Sequence, residues 1–181
     1  MKFMIASDIH GSTYYTKRLL ERFDDEKPEK IILLGDLYYH GPRNPLSEEY
    51  SPMEVSNLLN SIKEKLIVVR GNCDSEVDEM ISEFPFEPSA QVYVGDKRVT
   101  LTHGHRYNKD NLPPNCGDIL IYGHLHTGFI IRENGKIFAN PGSTSLPKNG
   151  TKNSYLILNE NVIILKDMDG NVLKEEKIWN I

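Results

Sequence analysis

The sequence predicts an α/β protein in which two mixed β-sheets pack face to face with helices on their outer sides. In the first third of the chain, continuous apolar runs alternate with helical patterns, as is typical of parallel strands buried on both faces. In the later part, apolar segments flank short turn sequences in pairs, as is typical of antiparallel hairpins. These hairpins are too many for one edge of the first sheet, so we expect a second sheet.

The first third alternates strands with helices. Three apolar runs are expected as parallel strands: residues 3–6, 31–34 and 66–69. Between the first two runs, Tyr15, Leu19 and Phe23 recur at helical spacing. A second helix is expected to start at Ser51, with Pro52 in its first turn and Glu54 completing a capping box.

The later part is expected to form four hairpins. The predicted strand pairs are 91–94 with 97–102, 128–133 with 136–139, 155–158 with 162–165, and a last pair turning at Asp169-Gly170. Asn134-Gly135, in the second pair, is a strong type I′ turn signal. With no linker, repeat or low-complexity stretch in the sequence, we expect one domain over residues 1–181.

Composition and charge exclude several classes of protein. With 39% hydrophobic and 26% charged residues, the chain is neither disordered by composition nor fibrous. A net charge of −5 without a long basic run argues against extended nucleic-acid binding. The first apolar run is too short for a signal peptide, no later run is long enough for a membrane span, and two cysteines make no disulfide framework. We therefore expect a cytoplasmic protein without membrane contact.

Chemically active side chains follow five apolar runs at their carboxyl ends. The loops read Ser7-Asp8-Ile9-His10, Gly35-Asp36, Arg70-Gly71-Asn72-Cys73-Asp74, His103-Gly104-His105 and Gly123-His124-Leu125-His126. Ligands bind beyond the carboxyl ends of strands in α/β sheets, so we expect all five loops at one rim. Each motif alone is weak, but five of the six histidines of the chain lie in these loops. The sequence therefore predicts one functional site.

The predicted ligand types indicate a metal centre. Carboxylate, imidazole and amide oxygen without a thiolate cluster suit Mn²⁺, Fe²⁺, Ni²⁺ or Zn²⁺ and do not suit a closed structural zinc site. Seven candidate ligands are too many for one ion and fit two ions that share a bridge. Two divalent ions, two aspartates and a bridging hydroxide leave one positive charge, which a phosphodiester monoanion would neutralise.

The order Asp-x-His, Gly-Asp, Gly-Asn-x-Asp, His-Gly-His and Gly-His-x-His resembles the calcineurin-like metallophosphoesterase superfamily over nearly the whole chain. Residues 36–45, 71–78 and 140–143 resemble its small YfcE-type phosphodiesterases. The resemblance implies a four-layer α/β/β/α sandwich and in-line attack on phosphorus by a metal-activated water or hydroxide. It also implies two divalent ions, with manganese expected and nickel, iron or zinc as alternatives.

The resemblance assigns the metal ligands residue by residue. Asp8, His10 and His126 would hold the first ion, Asn72, His103 and His124 would complete the second, and Asp36 would bridge both.

Cys73 departs from the family pattern, because many members have histidine after the Gly-Asn pair. A thiol is a poor acid at neutral pH, so we expect good turnover of activated aryl diesters and weak turnover of esters with basic leaving groups. Alternatively, Cys73 only packs and His105 acts in its place. Asp74 is a further catalytic candidate, or it starts a capped helix with Ser75 and Asp78.

Three cationic or titratable side chains are candidates for substrate binding. His40 and Arg43 either line the substrate mouth or belong to an ordinary surface loop. Arg70 pairs either with phosphate or with Asp74. The turn at residues 140–143 is expected to support the site.

These residues predict a metal-dependent phosphodiesterase acting on a small diester. One alternative is a phosphomonoesterase or protein phosphatase on the same site. The two negative charges of a monoester would, however, exceed the single positive charge of the site. The other is a protein-binding scaffold without catalysis, which should have lost metal ligands, yet all seven are intact. Exposed hairpin edges and nine tyrosines are compatible with a homo-oligomer.

Overall fold

The structure, a computed structural model, describes residues 1–179. The strands are β1 (Phe3–Ala6), β2 (Lys30–Leu33), β3 (Leu66–Val68), β4 (Ala90–Val94), β5 (Lys97–Thr102), β6 (Ile119–Tyr122), β7 (Gly128–Glu133), β8 (Lys136–Pro141), β9 (Ser154–Leu158), β10 (Val162–Asp167) and β11 (Val172–Lys177). The helices are α1 (Thr13–Glu26), α2 (Pro52–Asn60) and α3 (Glu76–Met80), with a 3₁₀ turn at Lys63–Lys65. Within these residues, no helix has the length and apolar character needed to cross a membrane.

Both sheets are mixed. The first has the order β11-β10-β9-β1-β2-β3, in which β1, β2 and β3 run parallel and the remaining pairs are antiparallel. The second has the order β4-β5-β6-β8-β7, in which β5, β6 and β8 run parallel and β4 and β7 are antiparallel to their neighbours. All four predicted hairpins form, and they are divided between the two sheets.

The main hydrophobic core lies between the sheets. Phe3 and Ile5 of β1 contribute to this core, while Met4 and Ala6 of the same strand join the cluster on the outer face of the first sheet. Side chains alternate between the faces of a strand, so a strand covered on both faces has to be apolar throughout. This explains why β1 reads as a continuous apolar run.

The outer layers of the two sheets differ. Leu19 of α1 and Val55 and Leu59 of α2 pack in the cluster outside the first sheet. Outside the second sheet, Leu120, Tyr122 and Phe138 form a small cluster with Cys116, which belongs to the irregular segment between β5 and β6. Within residues 1–179, the segment between β5 and β6 contains no helix.

One of the two predicted capping boxes forms. Asp78 Oδ2 accepts a hydrogen bond of 2.7 Å from the backbone N–H of Ser75 at the start of α3, as predicted. The box predicted for Ser51 and Glu54 is wrong, since the Ser51 side chain makes no capping bond. In the predicted box, the Glu54 side chain would have accepted a hydrogen bond from the Ser51 backbone N–H. That N–H donates instead to the Gly11 carbonyl at 2.8 Å. This contact joins the start of α2 to the loop that follows β1.

Candidate metal centre

The five predicted loops meet at one rim of the two sheets. Within the first sheet, the backbone N–H of His10 donates to the Asp36 carbonyl at 2.9 Å, which joins the loops after β1 and β2. Between the sheets, the backbone N–H of His124 donates to Asp8 Oδ2 at 3.0 Å. The expectation that these loops share one rim is confirmed.

Asp8, His10 and His126 form a first cluster of candidate ligands. Nε2 of His10 lies 3.1 Å from Nε2 of His126. Asp8 Oδ1 lies 3.3 Å from Nε2 of His126 and 3.7 Å from Nε2 of His10. All three side chains are buried, so these atoms face one another away from bulk water.

Asp36, His103 and His124 form a second cluster. Asn72 joins it, because its Oδ1 lies 3.0 Å from Nε2 of His103. Asp36 Oδ2 lies 3.4 Å from Nε2 of His103 and 3.8 Å from Nε2 of His10. Asp36 therefore lies between the two clusters.

Backbone carbonyls determine which ring nitrogen carries the proton. Nδ1 lies within 2.7 Å of a carbonyl oxygen in three rings: His10 at Tyr39, His103 at Leu34 and His126 at Leu146. A carbonyl oxygen can only accept, so we assign the proton of each neutral ring to Nδ1. The Nε2 lone pairs of all three rings then point into the clusters, as in histidines that ligate metals.

With its two rings neutral, the first cluster thus brings nitrogen and oxygen electron pairs together without hydrogens between them. Asp8 Oδ1 is buried and has no hydrogen-bond partner within the described residues. Buried polar atoms normally have a partner, and oxygen and nitrogen lone pairs at hydrogen-bond distance repel each other unless a cation lies between them. The residues present therefore fit divalent metal ions, and the oxygen–nitrogen donor set matches the ions predicted from the sequence.

The electrostatics of the clusters favour positive charge. Burial alone lowers the pKa of His103, but its contact with Asp36 and the carboxylate charges of Asp8 and Asp36 raise that pKa to about 9. Burial raises the pKa of Asp36, yet the contact with His103 and its charge hold it well below the ordinary range. The protein groups stabilise a cation here, whether a proton or a metal ion.

The backbone is strained at the same residues. Five of the seven candidate ligands have positive φ: Asp8 (56°), His10 (48°), Asp36 (56°), His124 (66°) and His126 (57°). The left-handed region costs a side chain with a Cβ roughly 1–2 kcal/mol. Strain of this kind persists at functional sites, where the surrounding structure enforces it.

The turn at residues 140–143 and the residues after it support the strained loops. Asn140 Nδ2 donates to the Gly123 carbonyl at 2.8 Å. Ser143 Oγ donates to the Asp8 carbonyl at 2.6 Å, and Ser145 Oγ donates to the Ile9 carbonyl at 2.7 Å. The predicted supporting role of this turn is confirmed.

Comparison with known proteins identifies the family. The family model of the calcineurin-like phosphoesterase superfamily domain matches residues 1–161. The chain belongs to this superfamily. It is 48% identical to phosphodiesterase YfcE of Escherichia coli K12 over 166 residues, which are 90% of each chain. The chain is therefore a hydrolase of the metallophosphoesterase type.

Solved structures agree with this assignment. The E. coli phosphoesterase YfcE matches with a TM-score of 0.94 and 42% identity over 98% of this chain and 100% of that chain. This match confirms the predicted α/β fold of two mixed sheets. A zinc complex of Vps29 from Entamoeba histolytica matches with a TM-score of 0.64 and 21% identity over 98% of both chains, a likeness of fold alone.

The Asp74 carboxylate of this phosphoesterase makes structural contacts with the backbone of two loops. Its carboxylate accepts hydrogen bonds from the backbone N–H groups of Asp36 (2.8 Å), Leu37 (2.8 Å) and Gly71 (2.7 Å). Burial and the charge of Asp36 nevertheless raise the pKa of Asp74 to about 6. With both oxygens engaged by backbone, Asp74 joins the loops that carry Asp36 and Asn72.

Cys73 lies beside the second cluster in the wall of a cavity of about 430 Å³. Its backbone N–H donates to Asp36 Oδ1 at 2.8 Å. Burial and the charge of Asp36 raise the pKa of the Cys73 thiol to about 12. The thiol is therefore protonated at neutral pH and is a weak acid.

The structure separates the two substrate candidates that follow β2. Arg43 lines the cavity beside Cys73 together with Tyr39. His40 does not line it, because its ring packs edge-on against Tyr50 with the ring centroids 5.3 Å apart. Lys148 also lines this cavity. No signal in the sequence pointed to it, because a lysine before Asn-Gly is typical of a surface turn.

Arg70 and His105 line a second cavity of about 680 Å³. The expected pairing of Arg70 with Asp74 is wrong, since Arg70 pairs with Glu79 of α3 and the Asp74 oxygens are taken by backbone. The ring of His105 lies 5.4 Å from that of His103 and 6.2 Å from that of His124, measured between centroids. Partial burial and the charges of His103 and Arg106 lower the pKa of His105.

Proposed function

We propose that this phosphoesterase is a metal-dependent phosphodiesterase that hydrolyses a small phosphodiester at two divalent ions. The observation that carries the proposal is the pair of ligand clusters, the first fully buried, with Asp36 between them and an open cavity beside them. One cluster would suffice for a single ion, and a carboxylate placed between two clusters suits a bridge.

The proposed ligands follow from the two clusters. Asp8, His10 and His126 would hold one ion, Asn72, His103 and His124 the other, and Asp36 would contact both. We favour manganese, which the resemblance to YfcE-type phosphodiesterases implies and which the oxygen and imidazole donors of the two clusters suit. Divalent ions bound here supply Lewis-acid activation of water and neutralise charge on phosphate.

The side chains around the clusters orient the reaction. The carbonyls of Leu34, Tyr39 and Leu146 hold the three rings with their Nε2 atoms inward, so the ligands need no reorientation when they bind. Arg43 and Lys148 bring positive charge to the cavity wall, where they attract the phosphate anion and orient it. No protein nucleophile is required.

The shape of the site favours a diester over a monoester. Asn72 lines both the 430 Å³ cavity and the 680 Å³ cavity, so the two cavities meet beside the second cluster. A diester has two ester arms, and each arm has a cavity of its own. The volumes of the two cavities are consistent with a small substrate.

The free thiols of Cys73 and Cys116 are consistent with a reducing, cytoplasmic location of the protein.

Turnover of matched aryl esters tests the proposal. With saturating Mn²⁺, we expect kcat/KM for bis-p-nitrophenyl phosphate to exceed that for p-nitrophenyl phosphate, with both activities abolished by a chelator. The two esters share a leaving group, so their ratio reports on the non-reacting arm and on the charge of the phosphate group. Dominant monoester turnover would favour the phosphomonoesterase alternative and contradict the proposal.

A further inference from the structure

We propose that the cavity beside His105 binds a second phosphate group carried by one arm of the diester substrate, with Arg106 as its principal contact. The inference rests on the proposed phosphodiesterase function and names its substrate class. That class is small phosphodiesters with an additional phosphate, such as a nucleoside phosphodiester that is phosphorylated at a second position.

The cavity begins at the metal centre. Asn72, a candidate ligand, lines it together with His105, whose ring lies beside the rings of His103 and His124. A diester held at the two clusters therefore directs one arm into this cavity. Arg106 follows His105 in the chain and lines the same cavity.

The charge of the cavity favours an anion on that arm. Its lining contains two arginines against one glutamate, which leaves one net positive charge. Arg70 and Glu79 form an ion pair with each other. Arg106 is exposed and has no ion-pair partner within residues 1–179, so its guanidinium can bind an incoming phosphate by two parallel hydrogen bonds.

The loop that carries Arg106 is ordered by its own side chains. Asn111 Nδ2 donates to the Arg106 carbonyl at 2.7 Å, and Asn108 Nδ2 donates to the Gly104 carbonyl at 3.1 Å. Thr102 Oγ1 donates to the Tyr107 carbonyl at 2.8 Å, which fastens the loop to the end of β5. A backbone held before binding reduces the entropy lost when the ligand binds.

Two substrates that differ by one phosphate test the inference. The p-nitrophenyl ester of thymidine 5′-phosphate and its 3′-phosphorylated form share the scissile bond and the leaving group. We expect the protein to prefer the 3′-phosphorylated form. In Arg106→Gln, the ratio of the two kcat/KM values should fall about 10-fold, mainly through KM, as expected for a lost charged hydrogen bond. Arg106→Lys should restore part of the preference.

Two further variants locate the effect. Lys109→Gln removes one positive charge from the same loop outside the cavity lining and should leave the ratio unchanged. If Arg43→Gln abolishes the preference and Arg106→Gln does not, the second phosphate lies in the other cavity and the inference is overturned. The absence of any preference in the unmodified protein would also overturn it.

The test distinguishes this inference from the proposed function. Metal-dependent turnover of bis-p-nitrophenyl phosphate, which carries no second phosphate, depends only on the proposed function. Its loss would defeat both proposals. If bis-p-nitrophenyl phosphate is hydrolysed but Arg106→Gln leaves the ratio of the two kcat/KM values unchanged, the second-phosphate site is contradicted and the proposed function is not.

Discussion

Nε2 of His10 lies 3.1 Å from Nε2 of His126, although both rings have committed their N–H groups to backbone carbonyls. Two lone pairs therefore face each other in a buried site, with Asp8 Oδ1 beside them. With both rings neutral, no hydrogen bond can form among these three atoms, so their lone pairs repel one another. A cation between the atoms removes this repulsion.

Metal removal should destabilise the folded protein. A ligand present at 100 times its Kd adds about 2.7 kcal/mol to the free energy of unfolding. For a chain of this size, each kcal/mol changes Tm by roughly 2–4 °C, so we expect a rise of about 5–10 °C with Mn²⁺ relative to the chelated protein. Differential scanning calorimetry with and without Mn²⁺ measures the difference. An identical Tm in both conditions would argue that no ion binds the folded state.

Asp74 should act as a positioning residue for the metal ligands. Asp74→Asn places an amide donor where a carboxylate oxygen accepts backbone N–H groups, and leaving one N–H unsatisfied costs about 1–3 kcal/mol. We expect a lower Tm together with roughly 10- to 100-fold weaker Mn²⁺ binding, measured by calorimetric titration. Asp24→Asn, at an exposed position on α1, is the control. Lower stability with unchanged metal affinity would limit Asp74 to the fold.

Cys73 should make the rate depend steeply on the leaving group. Because the thiol is a weak acid, esters with basic leaving groups lack assistance, and kcat should fall as the leaving-group pKa rises. Cys73→His should flatten this dependence in a series of substituted aryl diesters. Cys116→Ser, which changes the other free cysteine, should leave the slope as it is. A slope near zero in the unmodified protein would mean that another group, such as His105, protonates the leaving oxygen.

Asp167 should contribute stability that is lost in acid. Burial raises the pKa of Asp167, but the Lys152 ammonium and hydrogen bonds from Asn171 outweigh it and lower that pKa from 3.8 to about 2. A pKa lower in the folded state than in the unfolded state gives stability that is present above about pH 4 and is lost as the pH falls toward 2.

Asp167→Asn isolates this contribution. We expect the variant to be about 1 kcal/mol less stable at pH 6, a modest figure because Lys152 is solvent-exposed, with a smaller difference at pH 3. Urea unfolding at both pH values gives the two differences, and Asp24→Asn should show neither. An equal difference at pH 6 and pH 3 would exclude the ionised carboxylate as its source.

The site could be predicted from the sequence because each candidate ligand belongs to a short motif that is recognisable on its own. Each candidate ligand follows an apolar run within a few residues, as Asp8 follows β1 and His103 follows β5. The carboxyl ends of parallel strands lie at the same rim of a sheet, whatever the order of the strands. The meeting of the loops could therefore be predicted without the details of packing.

The contacts that orient these ligands could not be predicted. Nδ1 of His103 donates to a carbonyl 69 residues away, at Leu34, and backbone carbonyls carry no sequence signal. Arg70 pairs with Glu79 of α3, whereas the carboxylate of Asp74 accepts hydrogen bonds from backbone N–H groups. The same competition for a backbone N–H removed the capping box predicted at Ser51.

Mn²⁺ binding, followed in parallel with diester hydrolysis, tests the central claim most directly. We predict two equivalents per chain, with turnover of bis-p-nitrophenyl phosphate rising as the second equivalent binds. Asp36→Asn, which retains the shape of the side chain, should weaken binding of both ions and lower kcat at least about 100-fold, while Asp96→Asn in the β4–β5 turn should change neither. Full activity at one bound ion, or an active Asp36→Asn variant, would contradict the account.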